Sequence, residues 1–143
     1  MTTTKTVKPH IAQVRLEHVN INVTDPKRTA SLLSRLFDWQ IRWEGPSIGQ
    51  GYTIHVGSEA DYLALYSNSN FQGKGLKASK AHLGLNHIAV EVDDLDAIET
   101  RVRAEGLTPY SFGDYEPGRR FYFNDLDNIE YEVVSYARAS APL

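Results

Sequence analysis

Two stretches of the chain alternate apolar and polar residues and then change to a helical spacing. In residues 14–23, Val19, Ile21 and Val23 alternate with polar residues, which predicts a strand with one buried face. Asp25 is suited to cap a helix that begins directly after it. The apolar residues that follow recur at helical spacing, and they are Ala30, Leu33, Leu36 and Phe37.

The second half of the chain returns to the same order. Residues 85–92 alternate as a strand does, Asp93 or Asp94 can cap a second helix, and Gly106 can end it. The segments 18–25 and 87–94 both begin with His and end with Asp, and they lie 69 residues apart. Such self-similarity indicates two related modules rather than an array of short repeats.

Three more strands are predicted in each module. They lie near 40–44, 51–57 and 61–66, and near 107–112, 119–123 and 129–136. Gly45 and Pro46, with the glycines at 49 and 51, mark the expected turn between the first two. We therefore interpret residues 1–143 as a single domain with module one at about 14–66, a linker at 67–84, and module two at about 85–136. The linker is long for a compact domain, which favours a function for it.

Composition narrows the chemistry. The 143 residues contain 15 basic and 18 acidic side chains, which gives no basic surface for nucleic acid. No apolar run is long enough to span a membrane, and the first residues lack the features of a signal peptide, so we expect a cytoplasmic protein. Because the chain has no cysteine, any metal must be held by His, Asp or Glu.

Strand alternation predicts which side chains share the face opposite the core. That face carries His18, Asn20, Tyr62, Ala64 and Tyr66 in module one, and His87, Glu130, Glu132 in module two. If both modules curl this face inward, these groups converge in a cup. The interval from His18 to Ala64 is 46 residues and that from His87 to Glu132 is 45, so these four positions are equivalent.

The tract from Phe121 to Glu132 carries a family resemblance. Its aromatic stretch, the acidic turn from Asp125, and a short strand with Glu132 resemble the closing signature of the vicinal-oxygen-chelate superfamily, which includes glyoxalases, bleomycin-resistance proteins and extradiol dioxygenases. Leu126 and Asn128 replace the usual Pro and Gly. His18 and His87 match the metal ligands on the first strand of each module in that family. The resemblance covers about residues 14–136.

The resemblance implies an α+β fold of two tandem βαβββ modules, which form a half-open mixed β-sheet barrel around a central cup. It also implies a divalent metal held by His18, His87 and Glu132. These ligands suit Fe(II), Mn(II), Zn(II) or Ni(II). Ala64 cannot ligate, so the three-ligand pattern leaves positions open for two adjacent substrate oxygens. Many members build the cup across a homodimer, which we expect here as well.

Other side chains are candidates for substrate contact. Tyr122 can face the cup and donate a hydrogen bond to a bound oxygen, which places it with Glu132 as a catalytic candidate, although core packing explains it equally well. Asn20, Tyr62 and Tyr66 are expected to line the cup as substrate-binding residues or as packing. Arg120, like Arg119, is a candidate to bind an anionic group of the substrate. The alternative for both is a charged hairpin end. His55 is a candidate base or fourth ligand.

The sequence thus favours a metal-dependent enzyme that acts on a small oxygen-rich metabolite chelated through adjacent oxygens. The reaction, whether of a lyase, isomerase, transferase or dioxygenase, depends on loops that the sequence does not define. The alternative is a metal-free binding protein of the bleomycin-resistance type, which sequesters a ligand. A regulator that retains the ligands without catalysis is a third reading.

Overall fold

The computed structural model describes residues 14–71, 83–115 and 118–137. The N-terminal segment and most of the predicted linker lie outside the described residues. The elements are β1 (His18–Asn22), α1 (Pro26–Phe37), β2 (Gln40–Ser47), β3 (Gly51–Gly57), β4 (Tyr62–Ser67), β5 (Ile88–Glu91), α2 (Leu95–Ala104), β6 (Tyr110–Tyr115), β7 (Gly118–Asn124) and β8 (Glu130–Ser135). No helix in these three ranges is long and apolar enough to cross a membrane.

Each βαβββ unit forms one four-stranded sheet. The strand orders are β1-β4-β3-β2 and β5-β8-β7-β6, so the first strand of each unit lies at an edge and pairs with the last. That pairing is parallel in both sheets, whereas the other strand pairs are antiparallel. The two sheets do not close into a barrel, and the predicted α+β fold class with two modules is confirmed.

The two helices begin where local sequence places their caps. The Asp25 carboxylate accepts hydrogen bonds from the amides of Lys27 and Arg28, and Asp94 accepts one from the amide of Ala97. Of the two acidic residues considered for the second cap, Asp94 takes the role. Gly106, which follows the residue Glu105 that caps the end of α2, adopts a φ of 77°, a conformation that glycine adopts without steric cost.

A shared core joins the two modules through the helices. Leu33 and Leu36 of α1 are fully buried, as are Val102 of α2 and Phe123 of β7. The Arg101 guanidinium crosses between the helices and donates to the backbone oxygen of Leu36 at 3.1 Å. Burial of an aliphatic side chain such as Leu33, Leu36 or Val102 contributes about 2 kcal/mol to the free energy of unfolding. The core therefore covers one face of each sheet and leaves the other face to polar and aromatic groups.

Three predicted strand boundaries were wrong. β1 begins at His18 rather than at residue 14. β2 continues through Gly45 and Pro46 to Ser47, so the turn occupies only the later part of the predicted stretch, at Ile48–Gln50 around Gly49. β6 occupies Tyr110–Tyr115 rather than 107–112, since the amide of Leu107 still bonds to the backbone oxygen of Val102 in α2. β6 also has a shift of register next to Ser111, whose φ is 52°. Edge strands tolerate such shifts since only one neighbour fixes their register.

The acidic turn before β8 connects module two to module one. Asp127 accepts hydrogen bonds from the amide and the hydroxyl of Thr24, the amide at 3.1 Å. Asp125 holds the turn itself, because its Oδ1 accepts from the amides of Asp127 and Ile129 at 2.9 and 3.0 Å. Burial raises the pKa of Asp125 to about 6, against 3.8 for the unperturbed group.

We expect Asp125→Asn to stabilise the protein at pH 7.5 by about 3 kcal/mol, because each unit by which burial raises the pKa corresponds to about 1.4 kcal/mol. The folded state holds the Asp125 proton more tightly than the unfolded chain does. Wild-type stability therefore falls as pH rises from 3.8 through about 6. Urea unfolding at pH 4 and pH 7.5 measures the effect, and an equal difference at both values would contradict it.

Candidate functional site

The exposed face of each sheet presents a row of four side chains, one from each strand except that His87 directly precedes β5. We define the first row as His18, Tyr62, His55 and Trp43, and the second row as His87, Glu130, Tyr122 and Tyr110. The strand registers show that the rows are equivalent. His55 lies opposite both Ala64 and Trp43, and Tyr122 lies opposite both Glu132 and Tyr110.

Glu132 is the centre of the polar cluster next to the second row. Its Oε2 lies 2.9 Å from Nε2 of His87, and its Oε1 accepts from Nη1 of Arg120 at 2.9 Å. The Glu132 residue is only 7% exposed. A carboxylate buried to this extent requires such partners, because burial without them strongly disfavours its charge. The structure therefore brings together three of the predicted site residues.

The residue before each first-strand histidine accepts a hydrogen bond from its ring. Oε1 of Glu17 lies 2.9 Å from Nδ1 of His18, and Oδ1 of Asn86 lies 2.7 Å from Nδ1 of His87. With Nδ1 engaged in this way, Nε2 is the nitrogen that each ring presents for ligation. Sequence reasoning missed both Glu17 and Asn86, although their equivalent positions in the repeat could have revealed them.

Two tyrosines complete the second row. The ring of Tyr122 meets the ring of His87 edge to face, with centroids 5.6 Å apart. The hydroxyl of Tyr110 donates to Oε2 of Glu130 at 2.5 Å. Burial, followed by the charge of Glu132, raises the pKa of Tyr122, so its hydroxyl remains protonated and can donate a hydrogen bond.

The first row consists of aromatic rings. The centroid of Tyr62 lies 4.9 Å from that of His18 and 4.5 Å from that of His55, and Trp43 follows at 5.1 Å from His55. The guanidinium of Arg42 lies 4.6 Å from the Tyr62 centroid. Burial, then the neighbouring His18 and Arg42, lower the pKa of His55, so this ring is neutral at physiological pH.

The other predicted substrate-binding residues have different surroundings. Asn20 is exposed on β1, in register with the buried Ala64 of β4. The hydroxyl of Tyr66 donates to the backbone oxygen of Ile48 at 2.7 Å, which fixes the turn before β3. Arg119 pairs with Asp96 at 3.1 Å, as a charged hairpin end would.

His18 lies on one sheet, whereas His87 and Glu132 lie on the other. Within residues 14–71, 83–115 and 118–137, no three His, Asp or Glu side chains come close enough to hold a metal ion together. The described part of one chain thus presents the predicted ligands as two separate sets. The second set is a histidine and a carboxylate at contact distance.

Sequence reasoning also missed Trp43, Arg42 and Tyr110. Strand parity gave no signal for them, because β2 has an irregularity between Ile41 and Trp43, and β6 has one between Tyr110 and Gly113. An irregularity of this type breaks the alternation of side chains between the two faces of its strand. Alignment of the two modules by their three-dimensional registers was needed to recognise that Trp43 and Tyr110 are equivalent.

The comparisons agree with this architecture. The model of the glyoxalase/bleomycin resistance protein/dioxygenase superfamily matches residues 15–133. No significant sequence match to a curated protein was found. Among solved structures, a glyoxylase/bleomycin resistance protein/dioxygenase domain from Frankia sp. EAN1pec is 20% identical, with a TM-score of 0.75, and the match covers 89% of this chain and 100% of that one.

Two further structures are fosfomycin resistance proteins named FosX. The protein from Mesorhizobium loti is 24% identical, with a TM-score of 0.65 over 90% of this chain and 96% of that one. A mutant of the protein from Listeria monocytogenes, in complex with Mn(II) and 1S,2S-dihydroxypropylphosphonic acid, is 18% identical, with a TM-score of 0.65 over 86% and 93%. At these identities the likeness shows the fold.

We expect His55 to titrate below 6.5 and Arg42→Gln to move its pKa part of the way back, because the guanidinium opposes protonation of the ring and burial remains. The ring-carbon shifts of His55 in NMR spectra across pH 4–9 give its pKa in the wild type and in the Arg42→Gln variant. Arg119→Gln is the matched control, since Arg119 pairs with Asp96 in the other module. An unchanged pKa of His55 in the Arg42→Gln variant would contradict the effect of Arg42 on this ring.

Proposed function

The chain belongs to the glyoxalase/bleomycin resistance protein/dioxygenase superfamily, and from this premise we propose that it is a divalent-metal-dependent enzyme acting on a small oxygen-rich compound. The observation that carries the proposal is the contact of 2.9 Å between Nε2 of His87 and Oε2 of Glu132. An imidazole nitrogen and a carboxylate oxygen this close share a proton, and the same two atoms are suited to share a metal ion.

The donor set fits a divalent transition metal. His87 and Glu132 supply nitrogen and oxygen, and His18 would add a second nitrogen, which suits Fe(II), Mn(II), Zn(II) or Ni(II). Asn86 fixes the ring of His87, and Arg120 fixes the carboxylate of Glu132, as residues around metal ligands commonly do. Mn(II) is present in one of the FosX structures of the same fold.

We propose that a second copy of the chain brings His18 to His87 and Glu132, since the described part of one chain keeps them apart. Exposed apolar residues support a homodimer. Val14 and Leu16 precede β1, while Leu83 and Leu85 precede β5 at the equivalent positions, and all four are at least half exposed. Each pair adjoins a strand at the edge of its sheet, a place where another chain can dock.

The metal, when bound, would supply Lewis acidity to adjacent oxygens of the substrate. The chain's own groups then have distinct roles. Tyr122, whose hydroxyl remains protonated, would donate a hydrogen bond to a substrate oxygen. Tyr62 donates its hydroxyl to Oε1 of Glu17 at 2.9 Å, so this hydroxyl is already engaged. Asn20 would line the same face from β1.

We expect Glu132→Gln to abolish stoichiometric metal binding, because an amide lacks the charge that the metal requires. Glu130→Gln is the matched control. It lies on the same strand and face, and its carboxylate contacts Tyr110 rather than Nε2 of His87. Mass spectrometry of metal in Mn(II)-loaded, gel-filtered protein gives the stoichiometry. Equal metal content in the Glu132→Gln variant and the wild type, both folded by circular dichroism, would exclude this ligand.

Mixed dimers test whether the site lies between two chains. We expect the His18→Ala and Glu132→Ala variants to bind no metal alone, and their mixture, after dissociation and reassociation, to regain about a quarter of the wild-type content. Only the mixed dimer then has one intact site out of two. Absence of any recovery, with mixed dimers confirmed by native mass spectrometry, would place all three ligands within one chain.

A further inference from the structure

Glu17 and Tyr62 contact the ring of His18 from two directions. We propose that these two positioning residues form a clamp that fixes the tautomer and the orientation of His18, so that its Nε2 atom is ready to accept a metal ion before a second copy of the chain brings the other ligands. The inference rests on the proposed function, in that His18 is taken as a metal ligand. Its evidence lies in contacts within one chain.

Oε1 of Glu17 is the acceptor of two hydrogen bonds. Nδ1 of His18 and the hydroxyl of Tyr62 each lie 2.9 Å from this oxygen. An ionised carboxylate only accepts hydrogen bonds, so the His18 ring must carry a hydrogen on Nδ1. In a neutral ring the lone pair that a metal ion needs is then on Nε2.

The contacts of Tyr62 decide whether this arrangement persists. The side chain of Glu17 is 62% exposed, and a single bond from His18 at such a site contributes little. Tyr62 adds two bonds to Glu17, because its amide donates to the backbone oxygen at 3.2 Å and its hydroxyl donates to the carboxylate. Glu17 is thus held at its main chain and at its side chain by the same residue.

Tyr62 also restrains the His18 ring directly. The two rings stack, with centroids 4.9 Å apart and planes inclined by 14°. The Tyr62 ring is itself held, since His55 stacks against it at 4.5 Å and the guanidinium of Arg42 lies 4.6 Å from its centroid. A ligand side chain that is ordered in advance loses less conformational entropy on binding.

The equivalent histidine of module two is held differently. The partner of its Nδ1 is the neutral Asn86, and Tyr122 meets the ring of His87 edge to face instead of stacking on it. Nε2 of His87 is engaged by Glu132, whereas the bond of His18 within the described ranges is made by Nδ1. An anionic acceptor makes the stronger hydrogen bond, so His18 is the nitrogen donor that is set in advance.

The tautomer of His18 in the metal-free, full-length protein tests the clamp. Proton–nitrogen NMR correlation spectra at about pH 9, above the ordinary pKa of about 6.5 for histidine, show which ring nitrogen carries the hydrogen. We expect Nδ1 to carry it in the wild type. In Glu17→Ala the hydrogen should move to Nε2, the form that an unrestrained histidine prefers. Glu17→Gln retains an acceptor oxygen and should keep the hydrogen on Nδ1.

Calorimetric titration with Mn(II) tests the consequence for metal binding. We expect Glu17→Ala to weaken Mn(II) binding about tenfold, as loss of a residue that orients a ligand does. Tyr62→Phe, which removes only the hydroxyl, should weaken it by a smaller factor. Glu91→Gln is the matched control, since Glu91 on β5 lines the groove between β1 and β5 together with Glu17, but His18 bonds to Glu17. Circular dichroism verifies that each variant is folded.

Two results would overturn the inference. The first is a hydrogen on Nε2 of His18 in the wild type. The second is a Glu17→Ala variant that binds Mn(II) as tightly as the wild type, whether or not its tautomer changes, because the clamp would then have no role in metal binding.

Metal content, measured on the same preparations, separates this inference from the proposed function. A wild-type protein whose His18 tautomer depends on Glu17, but which takes up no Mn(II), would retain the clamp on the ring and exclude the metal-dependent enzyme. A protein that takes up Mn(II) and loses it in Glu132→Gln, but not in Glu17→Ala, would retain the enzyme and exclude the clamp.

Discussion

Burial of one face of each sheet is the constraint on which the rest of this structure depends. α1 and α2 cover that face, and the core between them is continuous from Leu33 to Phe123. Because side chains on a strand alternate, everything that does not pack against the helices must lie on the opposite face. In each sheet, the fixed register of four neighbouring strands aligns side chains across the sheet, and this alignment produces one row per sheet.

The same constraint has different consequences in the two modules. In module two the position next to the row holds Glu132, a buried carboxylate that depends on Arg120 and His87 for compensation. In module one the equivalent position holds Ala64, which needs no partner. One surface is consequently acidic and suited to a cation, whereas the other is aromatic, with Arg42 over the ring of Tyr62.

The division of ligands between sheets links the chemistry to assembly. In the proposed site, His87 and Glu132 alone would leave a metal with too few protein donors, and His18 on the other sheet would be the third. The apolar residues that precede β1 and β5 are exposed beside those edges. Metal binding and association of two chains would therefore depend on each other, because the interface would complete the site and the site would bridge the interface.

Much of the fold could be predicted from sequence, because it depends on local periodicity. The alternation of Val19, Ile21 and Val23, the cap at Asp25 and the repeat of this order in module two determined the elements and their faces. The spacing to Glu132 likewise identified the equivalent positions, since the registers of β4 and β8 match. These features can be recognised in the sequence because the periods of strands and helices span only a few residues.

Other features were decided only by tertiary structure. Register irregularities in β2 and β6 hid the equivalence of Trp43 and Tyr110, since one shifted residue reverses the parity on which sequence reasoning depends. The pairing of Arg120 with Glu132, and the placement of Arg42 over Tyr62, join strands through contacts that no spacing encodes. The sequence by itself determined which residues face away from the core, and the packing of strands side by side decided which of them touch.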